Sequence, residues 1–245
     1  AIPSTIEGRV LGLADRIQTI TAMFSIGNAP TGSKDPFALR RAANAIVKIL
    51  AESGLPLTLG DVVDAGGAEG VAREQVAAFL RERLHFYLKD VRGYAYDVVN
   101  AVLAAGADDV RDAIARAEAL TAVRGSEDFA AISAAFKRIK NILRQAEEKK
   151  FALGSAKDAK LSAEAQQLDD AAAALAPEVA SLRQIRSYNE ALALIATLRP
   201  NVDTFFDKVM VLDSDEKLRG AHLGLIDGVL RNFSTIADFS EIVIS

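Results

Sequence analysis

Gly32-Ser33-Lys34-Asp35-Pro36-Phe37-Ala38-Leu39-Arg40-Arg41 is the stretch whose reading decides the fold. It reads as the joint between two helices. Asp35 is expected at the N-cap, where its carboxylate accepts orphan N–H groups of the next turn. Pro36 suits N1, because its missing N–H costs nothing there and its fixed φ matches a helix. Phe37 and Leu39 are expected to enter a core. Lys34, Arg40 and Arg41 are left to face something anionic, or to pair with neighbouring acids. Gly-Ser-Lys before a helix also resembles a phosphate loop superficially, but the full spacing is missing and Lys34 precedes the cap.

The chain on either side reads as helix. Upstream, Ile6, Val10, Leu13, Ile17, Ile20 and Phe24 alternate by four and three, which lines one helical face. Downstream, Leu39, Ala43, Ile46, Val47 and Leu50 do the same until Gly54 and Pro56 stop them. Residues 55–68 read as a connector with a short helical turn. A further amphipathic helix over 69–90 turns Val76, Phe79, Leu80, Leu84 and Tyr87 inward. Tyr94 and Tyr96 beside Gly93 are read as helix-packing residues rather than a base-stacking platform.

Residues 108–124 form another helix, and Ser126 caps the one after it. That helix carries the clearest basic stripe, Phe136-Lys137-Arg138-Ile139-Lys140-Asn141-Ile142-Leu143-Arg144. Ile132, Phe136, Ile139 and Leu143 make its buried face. Lys137, Lys140 and Arg144 run down an adjacent face, and Arg138 and Asn141 widen it. On the residues alone this is an ordinary solvated face, as charge runs usually are. Residues 151–160 read as a linker. An alanine-rich helix follows over 158–182, with Leu161, Leu168 and Leu175 at heptad spacing and Pro177 breaking it or starting the next. Ser187 and Glu190 form a capping box for a helix through Leu198. Asp213 or Ser214 starts a long final helix, packed down by Leu218, Leu225, Ile226, Leu230 and Phe233. The fold class is all-α, a multi-helix array.

Bulk properties narrow the function. The 245 residues carry a net charge of −4, so any polyanion must be held by local basic stripes. There is no cysteine, which excludes disulfides, thiolate zinc sites and a cysteine nucleophile. No apolar run approaches the roughly 20 residues needed to cross a bilayer, so no membrane partner is expected. No signal peptide is visible, and starting at Ala1 without methionine the chain reads as a processed or excised fragment. Only two histidines are present, His85 and His222, and neither sits in a His-Asp pair.

Four stretches, in order, resemble one family: Leu13-Ala14-Asp15-Arg16-Ile17 with the decapeptide 32–41, then Phe79 through Leu103, then the basic stripe, then the block from Asn201 to Leu223. They resemble the C-terminal part of the β subunit of bacterial-type heterotetrameric glycyl-tRNA synthetase. The last block resembles the close of a DALR-type anticodon-binding domain, shared with arginyl-tRNA synthetase. The resemblance implies three parts: 1–66 as the helical end of an HD-like domain, 67–154 as a helical body, and 155–245 as the anticodon-binding helical bundle. With it, the basic stripe leans towards RNA.

The implied function is tRNA binding without a catalytic site in this chain, within a glycine–tRNA ligase. The implied partners are tRNA(Gly) and the α subunit in an α2β2 enzyme of the cytoplasm. ATP and Mg²⁺ are implied for the whole enzyme, with no cofactor held here. The residues expected to meet RNA are Lys34, Arg40, Arg41, Lys137, Arg138, Lys140, Asn141, Arg144, Lys208, Arg219 and His222. The family usually has Asn-Arg where Ala221-His222 stands, so that contact is weakened or made pH-dependent here. Asp15 occupies the place of a metal-binding aspartate in HD-type hydrolases. Without histidine partners it is read as structural or ion-paired, with no metal expected. A metal-dependent phosphohydrolase remnant and a helical scaffold that docks a partner subunit are the alternatives.

Overall fold

The computed structural model describes residues 1–243. All regular structure among them is helical, with only an isolated bridge between Thr31 and Lys34. The α-helices are α1 (Ile6–Ser25), α2 (Leu39–Glu52), α3 (Leu59–Ala65), α4 (Gly70–Phe86), α5 (Tyr96–Ala104), α6 (Val110–Val123), α7 (Glu127–Glu148), α8 (Ala163–Gln184), α9 (Tyr188–Ala196), α10 (Arg199–Lys208) and α11 (Glu216–Phe233). The all-α expectation holds. The chain forms two compact units: Ala1–Val99 with Gly106–Ala115, and Asn100–Ala105 with residue 116 onward.

In the first unit, α1, α2, α3 and α4 pack on one another. Ile17, Ile20, Leu39, Ile46, Leu50, Leu80 and Leu84 are buried in the core, as their spacing requires. Phe24 meets Phe79 with ring centroids 5.2 Å apart. The start of α3 carries a capping box: Thr58 N donates to Asp61 Oδ2 at 2.8 Å, and Asp61 N donates to Thr58 Oγ1 at 3.1 Å. The Asp108 carboxylate accepts from Gly60 N at 2.8 Å and fixes the same helix end.

Several expectations are corrected here. Helix α2 begins at Leu39, not Pro36, after Ala38 in the left-handed region at φ 53°. Asp35 still satisfies the orphan donors, accepting from Leu39 N at 2.8 Å and Arg40 N at 3.0 Å from further back in the loop. Pro36 and Phe37 therefore lie in the loop, and Phe37 is 48% exposed instead of entering the core. Ile6 and Val10 are also exposed, since the buried residues of α1 begin only at Leu13. Tyr87 is buried, but Tyr96 is 60% exposed, edge-on to His85 and beneath the Lys89 ammonium.

In the second unit, α7 packs against α10 and α11, and α8 against α9, α10 and α11. Phe239 receives Phe129 and Phe136 edge-to-face at 5.4 and 5.2 Å. Buried Arg116 donates to Ile236 O at 3.0 Å and Val102 O at 3.3 Å. Arg199, opening α10, reaches Asp128 at 2.7 Å and Glu127 at 3.2 Å on the first turn of α7.

Pro177 sits inside α8 and does not break it. One hydrogen bond is lost, but Leu168 and Ala172 before it and Val179 after it all stay buried, and that packing holds the helix straight through. Ser187 Oγ donates to the Glu190 carboxylate at 2.8 Å and makes no cap bond to the backbone of α9. The cap of α11 is Asp215, one or two residues later than expected; its carboxylate accepts from Lys217 N at 2.8 Å and Leu218 N at 3.0 Å.

Candidate nucleic-acid interface

The stripe on α7 follows from its cap and its spacing. Ser126 Oγ accepts from Phe129 N at 3.3 Å and sets the helix phase. Burial of Ile132, Phe136 and Ile139 then fixes which face is inward. Lys137, Lys140 and Arg144, at i, i+3 and i+7, come out on one exposed face. Asn141 is exposed beside them. Arg138 points elsewhere and lays its guanidinium 4.2 Å over the Phe206 ring. Lys140 is ion-paired to Asp238 and lies 3.3 Å from Ser240 Oγ. Burial disfavours the Asp238 anion, but hydrogen bonds from Lys140 and Ser240 hold its pKa below the usual value.

Beside this face lies a groove of about 760 Å³. Lys140, Asn141 and Arg144 form one wall, with Lys150, Phe151 and Leu153 from the segment after the helix. The segment is built by the helix end. Lys150 takes φ 56°, and Phe151 N donates back to Ala146 O at 2.8 Å. It then lies directly on α11, where Gly154 N donates to Gly220 O at 2.8 Å. Arg219 stacks 4.1 Å over Phe151 and donates to Asp213 O at 2.8 Å, with Glu216 at 3.9 Å. Its cation is thus mostly committed inside the protein.

Lys208 lines a second cavity of about 360 Å³ with Lys160, Asp213 and His222. His222 is 3% exposed and edge-on to Phe205, so its ring lacks the solvent access that an RNA contact needs. Burial lowers its pKa, opposed by the backbone of Met210 and Val211 and by the charge of Asp213.

The structure therefore gathers Lys137, Lys140, Asn141 and Arg144 on α7. Arg138 is on the same helix but turned onto Phe206, and Lys208, Arg219 and His222 lie elsewhere in the same unit. Lys34, Arg40 and Arg41 belong to the other compact unit, where Arg40 donates to Gly32 O at 2.8 Å. By sequence, Lys150, Phe151 and Leu153 are only a helix end and a linker. Only the glycines at 154, 220 and 224 hinted at the close approach that makes them a wall. Asp15 is exposed on α1, and among the described residues no three His, Cys, Asp or Glu side chains gather as for a metal. No described helix is long and apolar enough to cross a membrane.

Residues 1–104 match the glycyl-tRNA synthetase beta subunit family, and residues 132–240 match the DALR anticodon binding domain. The second match takes in the α7 stripe and the groove. The whole chain is 62% identical to a glycine–tRNA ligase beta subunit of Acidobacterium capsulatum, covering 36% of that protein. It is 38% identical, over 99% of its length, to the beta subunit of Moorella thermoacetica, again covering 36%. That of Ralstonia nicotianae is also 38% identical, with 35% covered. The chain thus spans about a third of the length of the curated relatives it matches. With both matches in order, and identity this high from end to end, the chain belongs to the glycyl-tRNA synthetase β-subunit family and includes its DALR anticodon-binding domain.

Proposed function

We propose that this chain is a tRNA-holding, noncatalytic part of a glycine–tRNA ligase β subunit, acting in the cytoplasm. It positions tRNA(Gly) by its backbone and anticodon while the α subunit, in an α2β2 assembly, supplies the aminoacylation centre with ATP and Mg²⁺. The observation that carries the reading is the single exposed face of Lys137, Lys140 and Arg144 within the region matching the DALR domain. In a chain of net charge −4, such a local stripe is what a phosphate backbone requires. The helical unit from 155 onward would meet the anticodon, where unpaired bases offer edges and faces to read.

The test is triple alanine replacement of Lys137, Lys140 and Arg144. All three are exposed, so the fold should survive, which circular dichroism checks. Binding of tRNA(Gly) is then followed against salt. Each lost phosphate contact flattens the log–log slope by about 0.7–0.9, so a change of roughly 2–3 is expected for the three. Unchanged affinity and slope would remove the backbone assignment. Tight binding of the α subunit without any tRNA binding would favour the docking-scaffold alternative. The hydrolase alternative has no support from the family matches.

A further inference from the structure

We infer that the groove between α7 and the segment 150–153 takes one unpaired nucleotide of the bound RNA. The inference rests on the proposed tRNA-holding role and names a subsite for it. Its volume of about 760 Å³ is of the size that buries a small organic ligand. Its chemistry is divided as a nucleotide is. Lys140, Arg144 and Lys150 bring cations to one wall, while Phe151, with Arg219 over its ring, and Leu153, 51% exposed, give an apolar surface. Base-on-apolar contact there would leave the phosphate among the cations, the usual arrangement for single-stranded RNA.

The charges favour the anion. Asp227 also lines the groove, but Arg231 answers it at 2.8 Å, and Asp238 answers Lys140. That leaves Arg144 and Lys150 against the single carboxylate of Glu147, a net cation. Glu147 has its own use: a carboxylate accepts from the exocyclic amino group of cytosine, which uracil lacks. A partner protein's apolar helix would use Leu153 and Phe151 but would gain nothing from the flanking cations. Phosphate-bearing ligands use both.

The test uses the full chain and a tRNA(Gly) transcript, with affinity measured and each base probed chemically for protection. Leu153→Glu places a like charge where the base would lie, and Lys150→Glu, also exposed, inverts a wall cation. Each is expected to weaken binding about tenfold and to unmask one or two unpaired bases while stem protection persists. Glu147→Gln is expected to narrow the preference for cytosine over uracil at the unmasked position. If the wild-type chain fails to bind tRNA, the proposed function falls and this subsite with it. If the wild type binds, and both charge variants bind equally well and shield the same bases, the subsite alone is overturned.

Discussion

Lys140 on α7 is held by the carboxylate of Asp238, 98 positions further along the chain. The same carboxylate accepts from Ser240 N at 3.1 Å and Ser240 Oγ at 2.6 Å. One cation of the stripe is thus restrained before any RNA arrives. Asp238→Asn keeps an acceptor for Ser240 and releases the ammonium. We expect tRNA affinity to rise about two- to threefold, the worth of a partly exposed ion pair. The folded-state pKa of Asp238 is lowered, so its stabilisation is full above the ordinary carboxylate value and fades as pH falls through the folded one. The variant should therefore show a shallower loss of stability below about pH 4 in urea titrations. A fall in affinity would mean that Asp238 positions Lys140 for RNA instead of competing with it.

Gly224 determines whether the groove wall exists. A Cβ there would lie 1.9 Å from Gly154 O, with backbone on both sides and nothing flexible to move. Gly224→Ala should cost about 2–3 kcal/mol in chemical denaturation, the upper range for overpacking. Because the strain is relieved by lifting residues 152–154 off α11, tRNA affinity should drop as well, even though residue 224 carries no functional group. Wild-type stability in this variant would show that the segment crosses α11 less closely than the structure has it.

The contrast between α7 and this crossing explains what was legible in the chain. The stripe could be read because Ile132, Phe136 and Ile139 fix the inward face, and Lys137, Lys140 and Arg144 then have one place to go. Periodicity names a face but not how far a neighbour covers it, so it puts Ile6 and Val10 of α1 inside although both are exposed. Propensity at Pro177 was overruled by packing along α8. The Arg219–Phe151 stack joins residues 68 positions apart, through glycines whose meaning appears only once two backbones touch. His222 was legible as a departure from the family pattern but not as a buried ring, since histidine suits core and surface alike.

His222 predicts a pH dependence of stability. Burial lowers its folded-state pKa, while the unfolded chain titrates near the ordinary value of 6.5. Between those two values the unfolded state binds the proton and the folded state does not, so stability falls as pH falls through about 6.5 and levels off below the folded pKa. The backbone of Met210 and Val211 and the charge of Asp213 favour the imidazolium but do not outweigh burial. Urea midpoints measured from pH 7.5 down to pH 5, with His222→Phe as the control, should show a slope only in the wild type, over about the range where histidine titrates. Equal slopes in both proteins would remove His222 as the source of the effect.

Lys150 separates folding from binding at a single position. It is a non-glycine residue at φ 56°, the place after a helix where glycine is preferred. Lys150→Gly should therefore stabilise the unit by roughly 0.5–1 kcal/mol, since relief of the left-handed strain outweighs the added freedom of the unfolded chain. The same change removes a groove cation. We expect tRNA binding to weaken about threefold and its salt slope to flatten by about 0.7–0.9. A more stable protein that binds RNA less well is a combination that no general loosening of the fold can produce. If affinity instead held or improved with stability, Lys150 would be a helix-terminating residue only, and the cationic wall would end at Arg144.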